Sequence, residues 1–201
     1  RMDYLQMLAH HMETGADLTV ATIPVRKESV SGLGIMQMND ACEITRFEEK
    51  PKDPELQQSL QLPRDWYERL NIIDDEDLWL ASMGIYIFNR QTILELLDNA
   101  KTDFGKHIIP DAIKTHKVSS YVFQGYWEDV GTIKAFFEAN LDLTSVMPKF
   151  NFFDMQSPVF TRPRFLPASK VNGGNIQNSL LSDGCIVQGA RLKDCMLGIR
   201  S

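Results

Sequence analysis

Gly125-Tyr126-Trp127-Glu128-Asp129-Val130-Gly131-Thr132-Ile133-Lys134-Ala135 sets an acid, a tight turn and a helix start within eleven residues. Tyr126 and Trp127 suit the end of a half-buried strand, Gly131 permits an unusual backbone angle, and Thr132 is a good N-cap for the pattern that follows. Asp129 is thereby predicted at a strand-to-helix junction. Open α/β sheets gather ligands outside the carboxyl ends of their strands, so a carboxylate there is placed to hold a divalent metal beside a phosphate. Capping a helix or pairing with a lysine is the competing role for the same side chain.

On the far side of this junction, Ile133, Phe136, Phe137, Asn140 and Leu141 give a helix with a strongly apolar face. On the near side, Val118 to Phe123 reads as the strand that leads in. Asp103-Phe104-Gly105 is similar to the metal-binding triplet of protein kinases, but no glycine-rich or catalytic-loop pattern accompanies it. Asp103 is expected instead to cap a short helix from Phe104 to Ile109. Lys106 falls in its first turn, where its charge opposes the dipole and either asks for an anionic partner or is tolerated at the surface.

Further upstream, Asn89 is expected to cap a helix whose core face is Ile93, Leu94, Leu96 and Leu97. Trp79 to Asn89 is the clearest strand, and Gly84 inside it marks either a bulge or a close approach by a ligand, to which Ser82 would offer a hydroxyl. Residues 52 to 79, with scattered charge and the run Asp74-Asp75-Glu76-Asp77, read as a surface excursion holding one short helix, Trp66 to Leu70. The acidic run lacks the alternating ligands and glycine of an EF-hand and is expected to be a solvated loop.

Gly34 to Met38, Asn39-Asp40 and Glu43 to Glu49 form a hairpin pattern that delivers Phe47-Glu48-Glu49-Lys50-Pro51. Pro51 is expected to hold Lys50 in extended backbone and so restrict where its ammonium can point. Leu18 to Val25 is a buried-strand pattern. Tyr4, Leu5, Leu8 and Met12 have helical spacing between a capping Asp3 and a terminating Gly15. His10 and His11 are adjacent on that helix, so they point apart and do not suit a shared metal.

The aromatic, proline-rich stretch from Phe150 to Pro167 is expected to be a linker packed against its domain. Beyond Val171, Ile176, Leu181, Val187, Leu192 and Leu197 recur every five or six residues among Gly184, Gly189 and Gly198. That rhythm fits the first coils of a parallel β-helix. The expected division is therefore 1–148 for an α/β domain, 149–170 for the linker and 171–201 for the coils.

With 201 residues and 43% hydrophobic content the chain can bury one good core and the start of a second unit. Its net charge of −6 opposes non-specific binding to nucleic acid, and no apolar run suits a membrane span. Cys42, Cys185 and Cys195 form no metal or disulfide spacing and are expected to be buried thiols in a reducing cytoplasm. Helical periodicity begins almost at Arg1, so the chain reads as a piece of a longer protein.

Several of these blocks, in order, resemble the glucose-1-phosphate adenylyltransferases, the ADP-glucose pyrophosphorylases of glycogen and starch-type glucan synthesis. They are Arg1-Met2-Asp3-Tyr4, Phe47-Glu48-Glu49-Lys50-Pro51, Ala81-Ser82-Met83-Gly84-Ile85-Tyr86, Asp103-Phe104-Gly105-Lys106 and Tyr126-Trp127-Glu128-Asp129-Val130-Gly131-Thr132. Thr161-Arg162-Pro163-Arg164-Phe165-Leu166-Pro167 is similar to the linker of the plant and cyanobacterial branch. The resemblance implies the C-terminal half of a Rossmann-like nucleotidyltransferase domain, followed by a left-handed parallel β-helix. It implies ATP and α-D-glucose 1-phosphate as substrates, Mg²⁺ as cofactor, allosteric control and a homotetramer.

By the same resemblance Glu49 would bind glucose hydroxyls, Lys50 the sugar phosphate, Ser82 the sugar, and Lys106 would contribute to that site. Asp129 would be one of two metal-holding aspartates. The family's glycine-rich nucleotide loop and its other aspartate have no counterpart here, so this piece alone is expected to be inactive. UDP- or dTDP-sugar synthesis and a non-catalytic regulatory subunit are the alternatives the resemblance leaves open.

Overall fold

A computed structural model describes residues 2–155 and 158–201, so Arg1 of the first block and Gln156 and Ser157 of the linker lie outside the described residues. It divides into two compact units, Met2–Gly125 and Tyr126–Ser201.

In the first unit, helix α1 (Tyr4–Thr14) starts where the Asp3 carboxylate accepts from Leu5 N and stops at Gly15, whose φ of 58° only glycine adopts freely. The helix is as predicted, but its buried residues are Met7 and His11. Tyr4, Leu5, Leu8 and Met12, the residues whose spacing announces the helix, are exposed. Strand β1 (Leu18–Arg26) and the short helix α2 (Lys27–Val30) follow. Strands β2 (Gly34–Met38) and β3 (Ile44–Glu49) form the expected hairpin. Its turn is closed by Asn39 Oδ1, which accepts from Ala41 N and Glu43 N.

The stretch from 52 to 79 is more structured than a surface excursion. Asp53 caps helix α3 (Pro54–Ser59), with Pro54 at the position where its missing N–H costs nothing. Helix α4 (Asp65–Arg69) then carries Trp66 and Tyr67, which pack with Leu62 and Leu78 into a small core of their own, while Leu60 joins Val30, Ile35 and Trp79 in another. Charge scattered along the segment disguises these apolar anchors. The acidic run is solvated and tied down by arginines, Asp74 to Arg26 at 3.1 Å and Asp77 to Arg64 at 2.7 Å.

Strand β4 (Leu78–Phe88) is the centre of a mixed five-stranded sheet of order β3-β2-β4-β1, closed by β5 (Val118–Val122), which runs parallel to β1. Opposite Val20 and Thr22 of β1 the register of β4 slips by a bulge. Gly84 sits in that bulge at φ 70°, a backbone angle that glycine adopts freely. Between these strands lie α5 (Arg90–Leu97), a π-helical turn (Phe104–Ile108) and α6 (Ile109–Thr115).

Two expectations change here. Asn89 stands at the start of α5 without capping it, because its amide is engaged elsewhere, donating to Ala16 O at 3.1 Å and facing His11 Nε2 at 3.3 Å. The short helix after Asp103 does not end at Ile109 but passes into α6. Leu18, Val20, Met36, Leu80, Leu96, Ile108 and Ile109 form the main core between sheet and helices. No helix among the described residues is long and apolar enough to cross a membrane.

In the second unit, helix α7 (Ile133–Asp142) is capped by Thr132, whose hydroxyl accepts from Ala135 N at 3.1 Å. The unit ends in strands β6 (Lys170–Leu181) and β7 (Ile186–Leu197), paired in parallel with each partnered residue opposite the one sixteen further on, from Lys170 with Ile186 to Leu181 with Leu197. Left-handed backbone recurs at the same interval: Gly173 and Gly189, Asn178 and Asp194, Gly184 and Arg200. Each pair marks the same corner on two successive turns, and the corners are spaced by the five or six residues of the sequence rhythm. Of the cysteines only Cys185 is buried, its thiol 3.0 Å from Gly198 O; Cys42 and Cys195 are half-exposed.

Candidate active site

The candidate sugar-phosphate residues of the first unit are carried on the end of β3, the bulge of β4 and the π-helical turn. At the end of β3, Lys50 departs from expectation. Its φ is 50°, in the left-handed region, although Pro51 follows it. The turn is held by its own N–H, which donates to Leu33 O at 3.0 Å, so the backbone bond from the neighbouring loop outweighs the proline's preference. Lys50 Nζ then stands 3.8 Å from Glu49 Oε1, with the lysine side chain 58% exposed and the glutamate 23%. A pair that open to water contributes little to stability. Its use lies in keeping an ammonium and a carboxylate side by side.

Glu49 is closely seated. Its Oε2 lies against the backbone of Gly34 on the neighbouring strand and of Gly105 in the π-helical turn. The same turn is started by Asp103, whose Oδ1 accepts from Lys106 N at 2.9 Å, the cap predicted for it. That backbone bond, helped by the Lys106 charge, holds the Asp103 carboxyl below its ordinary range. Lys106 Nζ is 3.9 Å from Asp103 Oδ2, the loose anionic partner its place in the first turn called for.

On β4, Ser82 Oγ accepts from Gly84 N at 3.2 Å across the bulge and lies near enough to the Tyr86 hydroxyl to favour its ionised form. Burial pushes the Tyr86 phenol up, and the negative charges of Glu49 and Asp103 push it the same way, which places all three within electrostatic reach. The Tyr86 ring stacks on Phe104 at 5.8 Å and 16°. Glu49, Lys50, Ser82 and Lys106 are thus brought to one neighbourhood, and Tyr86 and Asp103 join them. Sequence reading missed Tyr86 as a site residue, though the period of a strand puts residues 82 and 86 on one face. It saw Asp103 only as a cap.

Asp129 belongs to the second unit. Its Oδ1 accepts from Gly131 N at 3.1 Å in the loop before α7. The junction is looser than predicted, because β5 ends at Val122 and no strand includes Tyr126 or Trp127. Gly131 does not use positive φ; what it supplies is room, since a β-carbon there would come within 3.1 Å of Asp129 Oδ1. Among the described residues no group of three or more His, Cys, Asp or Glu could hold a metal ion by itself. One exposed carboxylate still fits Mg²⁺, a hard cation that keeps several waters and takes other oxygens from substrate phosphates.

Residues 1–146 match the model of the nucleotidyl transferase family, and residues 164–201 match that of a GLGC left-handed parallel β-helix domain. The second match covers the coil whose three corners repeat every sixteen residues. The first covers every side chain of the candidate site, and by it the chain belongs to the nucleotidyl transferase family.

Proposed function

We propose that the chain is part of an enzyme that joins ATP and α-D-glucose 1-phosphate to give ADP-glucose and pyrophosphate, supplying an activated glucose for glucan synthesis. The observation that carries this reading is the pairing in one chain of a nucleotidyl transferase match with a GLGC-type β-helix match. The family match supports nucleotide and sugar-phosphate substrates, and the motif resemblance supports the choice of glucose 1-phosphate.

Two anionic groups must meet in this reaction, since the sugar phosphate attacks the α-phosphate of the nucleotide. Catalysis then consists mainly of positioning and charge neutralisation, and no side-chain nucleophile is needed. Glu49 accepts from glucose hydroxyls and Ser82 contacts the sugar. Lys50 offsets the charge of the attacking phosphate, and Lys106 adds a second ammonium nearby. Asp129 would hold Mg²⁺ in part, and the cation, when bound, would supply charge neutralisation for the phosphates. A homotetramer in the cytoplasm under effector control completes the proposal.

The test is pyrophosphate release by the intact enzyme from glucose 1-phosphate with ATP, UTP and dTTP in turn, with and without Mg²⁺. A kcat/KM highest for ATP supports the reading. Preference for UTP or dTTP would move it to another sugar nucleotide, and no turnover with any of them would make the protein a regulatory subunit of this fold.

A further inference from the structure

We propose that Gly34 and Gly105 are positioning residues of the sugar-phosphate site: bare backbone on two separate elements forms a seat that fixes the Glu49 carboxylate. The inference rests on the reading of Glu49 as a sugar-binding group. A β-carbon on Gly105 would stand 2.5 Å from Glu49 Oε2 and 2.9 Å from its Cδ. One on Gly34 would stand 2.9 Å from the same Oε2. Real β-carbons essentially never come within 3.0 Å of another heavy atom, so either substitution forces a shift, and the carboxylate, as the far end of a flexible side chain, is the group that gives way most easily.

Neither position needs glycine for its backbone, because the glycines at positive φ are Gly15, Gly84, Gly173, Gly174, Gly184 and Gly189. Inside a helical turn glycine is in fact a poor choice, disfavoured against alanine by chain entropy. Space is what the two glycines provide, and one carboxylate oxygen takes it from both sides. Gly34 is the direct cross-strand partner of Glu49, while Gly105 comes from the π-helical turn that also carries Asp103 and Lys106. The carboxylate is therefore pinned between the sheet and the element bearing its neighbouring charges. At 23% exposure it can still meet a ligand, but it gives up little freedom in doing so, and such preorganisation strengthens binding.

The two glycines differ as probes. A β-carbon on Gly34 would also run into the ring of Phe47, a core residue, at 2.5 Å, so changing it risks the fold. The nearest atoms to one on Gly105 all belong to the side chains of Glu49 and, at 3.6 Å, Asp103. Gly105→Ala is consequently the informative variant, compared in the intact enzyme with Glu49→Gln, Glu49→Asp and the pair Gly105→Ala with Glu49→Asp.

Gly105→Ala is expected to unfold at the parental denaturant midpoint or above it, to raise KM for glucose 1-phosphate roughly tenfold, and to leave KM for the nucleotide within about twofold. Shortening Glu49 by one methylene makes room for the new methyl group. The double variant should therefore lose less than the two single losses combined. If Gly105→Ala leaves the sugar-phosphate KM unchanged while Glu49→Gln raises it, the seat is refuted and the role of Glu49 stands. If Glu49→Gln itself has no effect on that KM, the sugar-binding reading falls, and the seat with it. A Gly105→Ala protein that loses stability and raises both KM values together would show plain packing and also overturn the proposal.

Discussion

Glu49 and Lys50 are neighbours in the chain whose charged ends stand 3.8 Å apart, and the lysine reaches that place only by turning its backbone to φ 50°. For an L-residue this region costs roughly 1–2 kcal/mol, and a following proline does nothing to ease it. Backbone and ammonium can therefore be separated by substitution. Lys50→Ala and Lys50→Gly both remove the charge, and both should raise KM for glucose 1-phosphate far more than they lower kcat. Only Lys50→Gly relieves the backbone, so it should be the more stable of the two by about 1 kcal/mol in urea unfolding. Equal stabilities would show that the turn stores no strain.

Asp129 is assigned the opposite kinetic signature. Its carboxylate, bonded to Gly131 N, is a hard oxygen donor suited to a cation that matters most as charge builds up between the two phosphates. Asp129→Asn keeps the shape and the bond to Gly131 but removes the charge. Turnover should fall about a hundredfold, the Mg²⁺ concentration for half-maximal rate should rise, and KM for the sugar phosphate should change little. Should Asp129→Asn change mainly that KM while Lys50→Ala changes mainly turnover, the two assignments are exchanged and the mechanism is wrong.

His11 carries a structural burden that adjacency to His10 concealed. Only 5% exposed, it places Nδ1 2.7 Å from Thr19 Oγ1 and Nε2 3.3 Å from Asn89 Oδ1, joining α1 to β1 and to the start of α5. Thr19 is itself wholly buried. Thr19→Val keeps the side-chain shape but leaves a buried ring nitrogen without its partner, a change that costs about 1–3 kcal/mol. Denaturant unfolding measures it directly. A loss under a few tenths would mean that the hydrogen bond is not what ties the helix to the sheet.

The elements were legible where one local rule acts alone. Asp3, Asp103 and Thr132 all cap as their side chains suggest, Asn39 closes its turn, and the five-or-six-residue rhythm beyond Val171 returns as three left-handed corners. Failures came where a distant partner overrides the local rule. The Leu33 carbonyl holds Lys50 against Pro51, and His11 and Ala16 draw the Asn89 amide away from α5. Tyr4, Leu5 and Met12 mark a helix by their spacing, yet spacing does not say which face is covered, and Met7 and His11 lie on the inner one. At the site, motif blocks named Glu49, Lys50, Ser82 and Lys106. The role of Gly34 and Gly105 could not be read, because a residue without a side chain reveals its purpose only through what lies beside it.

His10 gives the first unit a specific sensitivity to acid. Its Nε2 is 2.9 Å from Ser119 Oγ and its ring meets the edge of Tyr121 at 5.6 Å. Burial lowers its pKa below the ordinary imidazole value of about 6.5, against a smaller opposing pull from Glu13. A lowered value means that the unfolded chain binds a proton which the folded one refuses. The stabilising contribution is therefore complete above about pH 6.5 and is lost as pH falls from there through the folded value. The carboxylates of Glu43, Asp74, Asp103 and Asp111 are all held low, so their contributions fade only at more acidic pH. Between about pH 7 and 5.5, urea unfolding of the parent should lose stability more steeply than that of His10→Gln, whose amide can still bond Ser119. Parallel pH profiles for the two proteins would show that His10 is equally easy to protonate folded and unfolded.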